Sequence, residues 1–264
     1  MYNHYTKFWF LLCLFLLFSF NFSHLNAKDQ IPKIEGTISQ EKLSYYNDSF
    51  DSHRTDLWDF AQLTYNPKQI SKFKRADFKF NNGKLLIETK KGFFSKAGFE
   101  SRFTLSGDFD IQIDCSTEFL NKSVGMDQRV LFSVSERGKL AEYSIVAWIQ
   151  LLKKKGDSRG YMTASCNYPI GNWETGNRTT IDTFDGTLRL IRKRGKIIMS
   201  YRLKNKHEWV KMASLDFTKK DMKIVFFVNN FIWGRKDIDA NSGFKAAFDN
   251  FKINAAHAII ESEI

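Results

Sequence analysis

The chain has 264 residues, 43% of them apolar and 16% aromatic, with 26 Phe and only 3 Pro. That is ample apolar area for a full core, which excludes both a small disulfide-stapled scaffold and a disordered segment. A formal charge of +11 favours acidic partners.

Lys7 is followed by an apolar run from Phe8 to Phe22 and then by the polar stretch Ser23 to Ala27. The run is shorter than the roughly 20 residues that span a bilayer. The pattern predicts a secretory signal peptide over 1–27, leaving no transmembrane helix once it is removed and placing the protein in the periplasm, at the cell surface or outside the cell. Residues 28–44 read as an N-terminal lead. From there, helical periodicity gives way to alternation with period two, the signature of half-buried strands. It predicts strands at 57–64, 77–80, 84–90, 99–105, 108–118, 128–135, 142–152, 160–167, 186–192, 196–204, 208–215, 222–229 and 246–254. Asn82-Gly83, Ser106-Gly107 and Arg194-Gly195 place a glycine between predicted strands, where hairpins need positive φ. The expected architecture is all-β: one two-sheet antiparallel sandwich over 45–254, with 255–264 as a short tail.

Several segments, in order, resemble the concanavalin A-like lectin and glucanase superfamily, a jelly-roll group that includes laminin G-like domains. They are Asn47-Asp48-Ser49-Phe50-Asp51 with Leu57-Trp58, then Asn82-Gly83-Lys84-Leu85-Leu86-Ile87, Gly98-Phe99-Glu100-Ser101-Arg102-Phe103 and Gly107-Asp108-Phe109-Asp110. Gly186-Thr187-Leu188-Arg189-Leu190 leads through Gly195 to Trp209, and Phe248-Asp249-Asn250-Phe251 closes the series. The resemblance implies a jelly roll and a role around carbohydrate, which on this architecture is either binding or hydrolysis.

A retaining glycosidase needs two carboxyl groups about 5 Å apart. In hydrolases of the superfamily these come from one strand as Glu-x-Asp-x-Glu, and the chain has no such run. The nearest approach is Asp108, Asp110 and Asp114, which alternation puts on one strand face with Gln112 among them. Read as catalytic candidates they make a divergent hydrolase. Read as a solvated face they need a compensating cation, for which Arg129 on the next predicted strand is the candidate.

The binding reading uses the strand from Tyr143 to Gln150. Tyr143, Ile145, Ala147 and Ile149 point one way, and Ser144, Val146, Trp148 and Gln150 the other. If the neighbouring strands adjoin, Asp110, Gln112, Asp114 and Arg129 join Trp148 and Gln150 in a polar face with one indole, rimmed by Tyr168 and Trp173. Such a mixture suits a sugar, whose C–H faces pack on rings while its hydroxyls take polar groups. The competing reading puts Trp148 between the sheets. Lysine clusters at 68–75, 153–155, 192–196 and 219–223 leave a third reading open, an adhesin for acidic polymers or a membrane surface; export and the lack of interleaved aromatics argue against nucleic acid.

Cofactors are not expected. Asp237, Asp239 and Asn241 space oxygen ligands as calcium loops do, but the glycine comes one residue late and no glutamate closes the loop. Cys115 and Cys166 would be the cysteines left after signal removal. They are either a disulfide pair or buried thiols.

Overall fold

The computed structural model describes residues 31–61, 76–89, 94–118, 127–136, 145–154, 156–231 and 245–261. The predicted signal peptide lies outside them, as do Asp237, Asp239 and Asn241. Ile34–Ile264 make one unit and Met1–Lys33 another. Among the described residues, no helix is long and apolar enough to cross a membrane.

One short helix, α1 (Gln40–Tyr45), starts where the Ser39 side chain accepts a hydrogen bond from the Lys42 N–H. The described strands follow: β1 (Trp58–Phe60), β2 (Ala76–Phe80), β3 (Leu85–Thr89), β4 (Phe94–Ser101), β5 (Phe103–Glu118), β6 (Asp127–Glu136), β7 (Val146–Lys153), β8 (Gly160–Asn167), β9 (Trp173–Thr175), β10 (Thr179–Ile181), β11 (Thr183–Lys193), β12 (Lys196–Leu203), β13 (Val210–Asp216), β14 (Met222–Phe231) and β15 (Lys245–Glu261). They pair antiparallel in two halves. One runs β8-β7-β6-β14-β4-β1, with β9 and β10 sharing the free edge of β8. The other runs β13-β12-β11-β5-β15-β3-β2. Among the described strands one ladder pair, Met222 with Leu105, ties the halves together at one corner, and at the other edge the Asn177 N–H donates to the Met212 carbonyl (3.0 Å).

The two inner faces bury each other. Ile111 and Ile113 of β5 and Leu188 and Leu190 of β11 share one buried cluster with Phe132 and Val134 of β6 and Ile149 of β7. Each such side chain contributes about 1.5–3 kcal/mol by leaving water. The sandwich is therefore as the alternation predicts.

Two of the three glycine turns form as expected: Asn82 and Gly83 (φ 50° and 67°) close β2 to β3, and Arg194 and Gly195 (50° and 75°) close β11 to β12. Ser106-Gly107 does not. Gly107 has positive φ (68°) inside the continuous strand β5, where it and Asp108 oppose the lone His257 of β15. The sequence signal was for positive φ, and a bulge demands that as a hairpin does. The expected tail is also corrected: β15 continues to Glu261, paired with Phe103, and buries Ala255 and Ala256.

Candidate functional site

Strand alternation makes two surfaces of β7. Ile145, just before it, and Ala147 and Ile149 are buried in the core cluster. Trp148 and Gln150 therefore face outward, away from the space between the halves. Register brings their neighbours onto the same face. Ser133 of β6, Trp148, Ser165 of β8 and Thr175 of β9 form one cross-strand row. Leu131, Gln150 and Thr163 form the next, and Arg129 stands opposite Asn229 of β14 in the one beyond.

Hydrogen bonding on this face is incomplete. Arg129 donates from Nη2 to Asp127 (2.9 Å), and Gln150 donates from Nε2 to the Thr163 hydroxyl (3.0 Å). Arg129 Nε, Trp148 Nε1, Gln150 Oε1 and Asn229 Oδ1 are buried with no partner. Two donors and two acceptors on three adjacent strands are thus unsatisfied, and an unmade bond of this kind costs about 1–3 kcal/mol. Trp148 packs from one side on a small apolar cluster of Ala61, Leu131, Val225 and Phe227, separate from the main core. Beside it lies the Trp173 ring, with centroids 4.7 Å apart and planes tilted by 39°. Trp173 is 47% exposed, so it offers solvent an indole held in place by another.

This geometry unites Arg129, Trp148, Gln150 and Trp173 and separates them from the other expected residues. Asp110, Gln112 and Asp114 lie on β5, in the opposite half, and face outward there; the expected adjacency with Arg129 is wrong because β6 pairs with β7 and β14. The cation that compensates Asp110 is Arg189 of β11, which donates from Nε to one carboxylate oxygen (2.8 Å) and from Nη2 to the other. Asp114 accepts from the Thr187 hydroxyl (2.6 Å) and Asn250 (3.1 Å), Gln112 from Asn254 (3.0 Å), and Asp108 from the Arg194 N–H (3.0 Å). The three aspartates are engaged in cross-strand contacts. Tyr168 is not on the rim either; its ring packs edge-on to Phe217, against the core. Asn229, Thr163 and Ser165 went unnoticed in sequence because their faces depend on non-local register.

Among the described residues, the facing carboxylates on the Trp148 side are ion-paired. Asp59 stands opposite Glu100, but Arg102 lies 3.3 Å from Asp59 and Lys223 lies 3.0 Å from Glu100. Glu100 is three strands from Trp148, about 14 Å at ordinary strand spacing, and Asp59 one strand farther. Among the described residues no group of three or more His, Cys, Asp and Glu is placed to hold a metal.

Cys115 and Cys166 are both free and buried, so the disulfide alternative is overturned in favour of two core thiols. Burial pushes the Cys115 thiol upward, and that of Cys166 up to about 12. Since the thiolate is the reactive species, iodoacetamide is expected to leave both unlabelled in native protein and to label both after denaturation, as read by peptide mapping. Labelling at the native stage would contradict the placement.

No family model and no curated protein matches the chain. Solved structures do. The CBM2 module of the evolved Dit of Lactobacillus casei BL23 phage J-1 is 10% identical over 81% of this chain and 96% of that one, with a TM-score of 0.53. A structure from work on endo-acting O-glycanases of human gut microbiota is 11% identical over 83% and 99%, with a TM-score of 0.54. A prokaryotic β-1,3-1,4-glucanase (lichenase) from a mouse hindgut metagenome is 14% identical over 79% and 97%, with a TM-score of 0.51. These likenesses establish the fold, a concanavalin A-like jelly roll.

Proposed function

We propose that this chain is an exported carbohydrate-binding module that holds a glycan on the outward face of β6, β7, β8 and β14 without cleaving it. One observation carries the reading: the exposed Trp173 ring leans on Trp148 in the polar surroundings of Arg129, Gln150 and Asn229. Pyranose C–H faces pack on an indole, and a hydroxyl, which both donates and accepts, complements such a mixed set. Neighbours of the same fold include a CBM2 module and proteins named for acting on mucin O-glycans and β-glucan, which supports a carbohydrate ligand. Binding is favoured over hydrolysis because the nearest carboxylate pair on this face is ion-paired and distant from the rings.

Glycan-array binding of the mature chain, with and without calcium and at two salt concentrations, tests the proposal. Trp173→Ala is expected to weaken binding about tenfold while the melting curve stays in place. Unchanged affinity in Trp173→Ala would remove the platform. Steep loss of binding with salt would favour an acidic polymer held by the lysine clusters. Sustained release of reducing ends would move the protein to the hydrolases.

A further inference from the structure

The other half of the sandwich also presents an outward face. Lys79 of β2, Leu86 of β3, Ala247 of β15, Ser116 of β5 and Asp185 of β11 stand in one cross-strand row, which Lys204, just past the end of β12, extends by donating its N–H to the Asp185 carbonyl (3.0 Å). Six strands at ordinary spacing make this row about 24 Å long. Its middle is low, because Ala247 and Ser116 are short. The flanking rows stand higher: Asp249, Asp114, Thr187 and Arg202 on one side, Glu88, Lys245 and Glu118 on the other. The result is two adjoining clefts of about 230 and 600 Å³ that share Ser116 and Ala247 as lining. They form a trough running across the strands.

The charge of the trough sets it apart from the rest of the molecule. The smaller cleft is lined by three basic and three acidic side chains, and the larger by two of each. Within a chain of net charge +11, this stretch is balanced. A polyanion laid along it would meet a carboxylate for every cation, whereas a neutral hydroxyl donates to one and accepts from the other. Lys84 and Arg202 line the smaller cleft, and the guanidinium of Arg202 lies over the Trp209 ring, 4.8 Å from its centroid.

We propose that this trough is a second binding groove, for an extended neutral polysaccharide, and that the module is bivalent, with one site on each outer face. The groove shares with the Trp173 platform its ligand class but none of its residues, so the two stand or fall separately. A bivalent monomer cross-links soluble polysaccharide, which a single-site module does not.

The test uses mature protein with mixed-linkage β-glucan, galactomannan and heparin as probes, reading affinity by titration and cross-linking by light scattering. Ala247→Gln fills the floor from an outward strand position; Ser116→Gln does so independently, and circular dichroism checks that each is folded. Wild type is expected to bind and cross-link at least one of the neutral polymers. Trp173→Ala and Ala247→Gln should each still bind, with affinity reduced about tenfold and cross-linking lost, and the double variant should not bind. If both floor variants still cross-link, or if Trp173→Ala alone abolishes binding, the groove is refuted and the platform survives. If Ala247→Gln alone abolishes binding, the platform is refuted and the groove survives. Binding of heparin alone overturns the ligand class, and binding of none of the three overturns both sites.

Discussion

Trp58→Ala is expected to cost about 4 kcal/mol of stability, read as a shift of the urea midpoint at constant slope. Trp58 is 2% exposed and its ring meets those of Phe226 and Phe251 edge-on, both at 5.1 Å between centroids. Phe226 lies on β14 and Phe251 on β15, so one indole fills the space between the two halves where β1 closes the sheet. The indole N–H also donates to Asp48 (2.7 Å), whose other oxygen accepts from the Phe50 N–H (2.7 Å). That second bond helps hold Phe50 at φ 56°, a left-handed conformation uncommon outside glycine. Burial already pushes the Asp48 carboxyl upward, against the two hydrogen bonds that lower it. Removing the indole donor raises it further. A carboxyl whose folded-state pKa is raised costs stability as pH rises through that pKa. The deficit of Trp58→Ala should therefore be larger near pH 7 than near pH 3, where Asp48 is protonated in folded and unfolded states alike. Trp58→Phe keeps most of the packing and isolates the lost hydrogen bond, at about 1–2 kcal/mol. A Trp58→Ala deficit below about 1 kcal/mol would mean that this space collapses around the cavity.

What the sequence made legible was local. Alternation separates the two faces of β7 as far as Gln150, with Trp148 and Gln150 on one side and Ile145, Ala147 and Ile149 in the core. It does not say which sheet a face belongs to. Asp110, Gln112 and Asp114 alternate as clearly as Trp148 does, yet they sit on the opposite half, because β5 pairs with β11 and β15, strands more than 60 residues away in the chain. Arg189 is the cation that pairs with Asp110, and nothing within the β5 sequence points to it. Strand length was misjudged where side chains carry little strand signal: Ala255, Ala256 and Ala258 are weak β formers, and their place in β15 follows from pairing with β5. The three-residue strands β9 and β10 are too short to alternate visibly, although β9 carries Trp173. The trough was invisible for a related reason. Its floor is a row across six strands, so its residues are scattered from Lys79 to Ala247 in the chain.

Arg192→Met is expected to cost about 3 kcal/mol, and its effect should concentrate at the junction of the halves. Arg192 is 1% exposed, with burial pulling its guanidinium down to about 10. It donates from Nε to the Gly107 carbonyl (2.6 Å) and from Nη1 to the Lys220 carbonyl, and its guanidinium sits 4.7 Å above the Phe109 ring. Gly107 lies two residues beyond Leu105, and Lys220 two residues before Met222, and Met222 with Leu105 is the ladder pair that joins the halves at this corner. The side chain thus spans the corner from one strand to the other and holds the β5 bulge against the approach to β14. Methionine fills similar volume but leaves the Gly107 and Lys220 carbonyls, and the more distant Thr218 carbonyl (3.5 Å), without a charged donor, and such bonds contribute about 1.5–3 kcal/mol each when short. Lysine restores a charge without the planar fork that reaches both carbonyls, so Arg192→Lys should recover only part of the loss. The decisive measurement is native-state hydrogen exchange. If Arg192 clamps the corner, protection in Arg192→Met falls first at Leu105 and Met222, while the centre of β6 and β7 keeps the exchange rate set by global unfolding. A uniform fall across both halves would make Arg192 an ordinary core residue with no special hold on the junction.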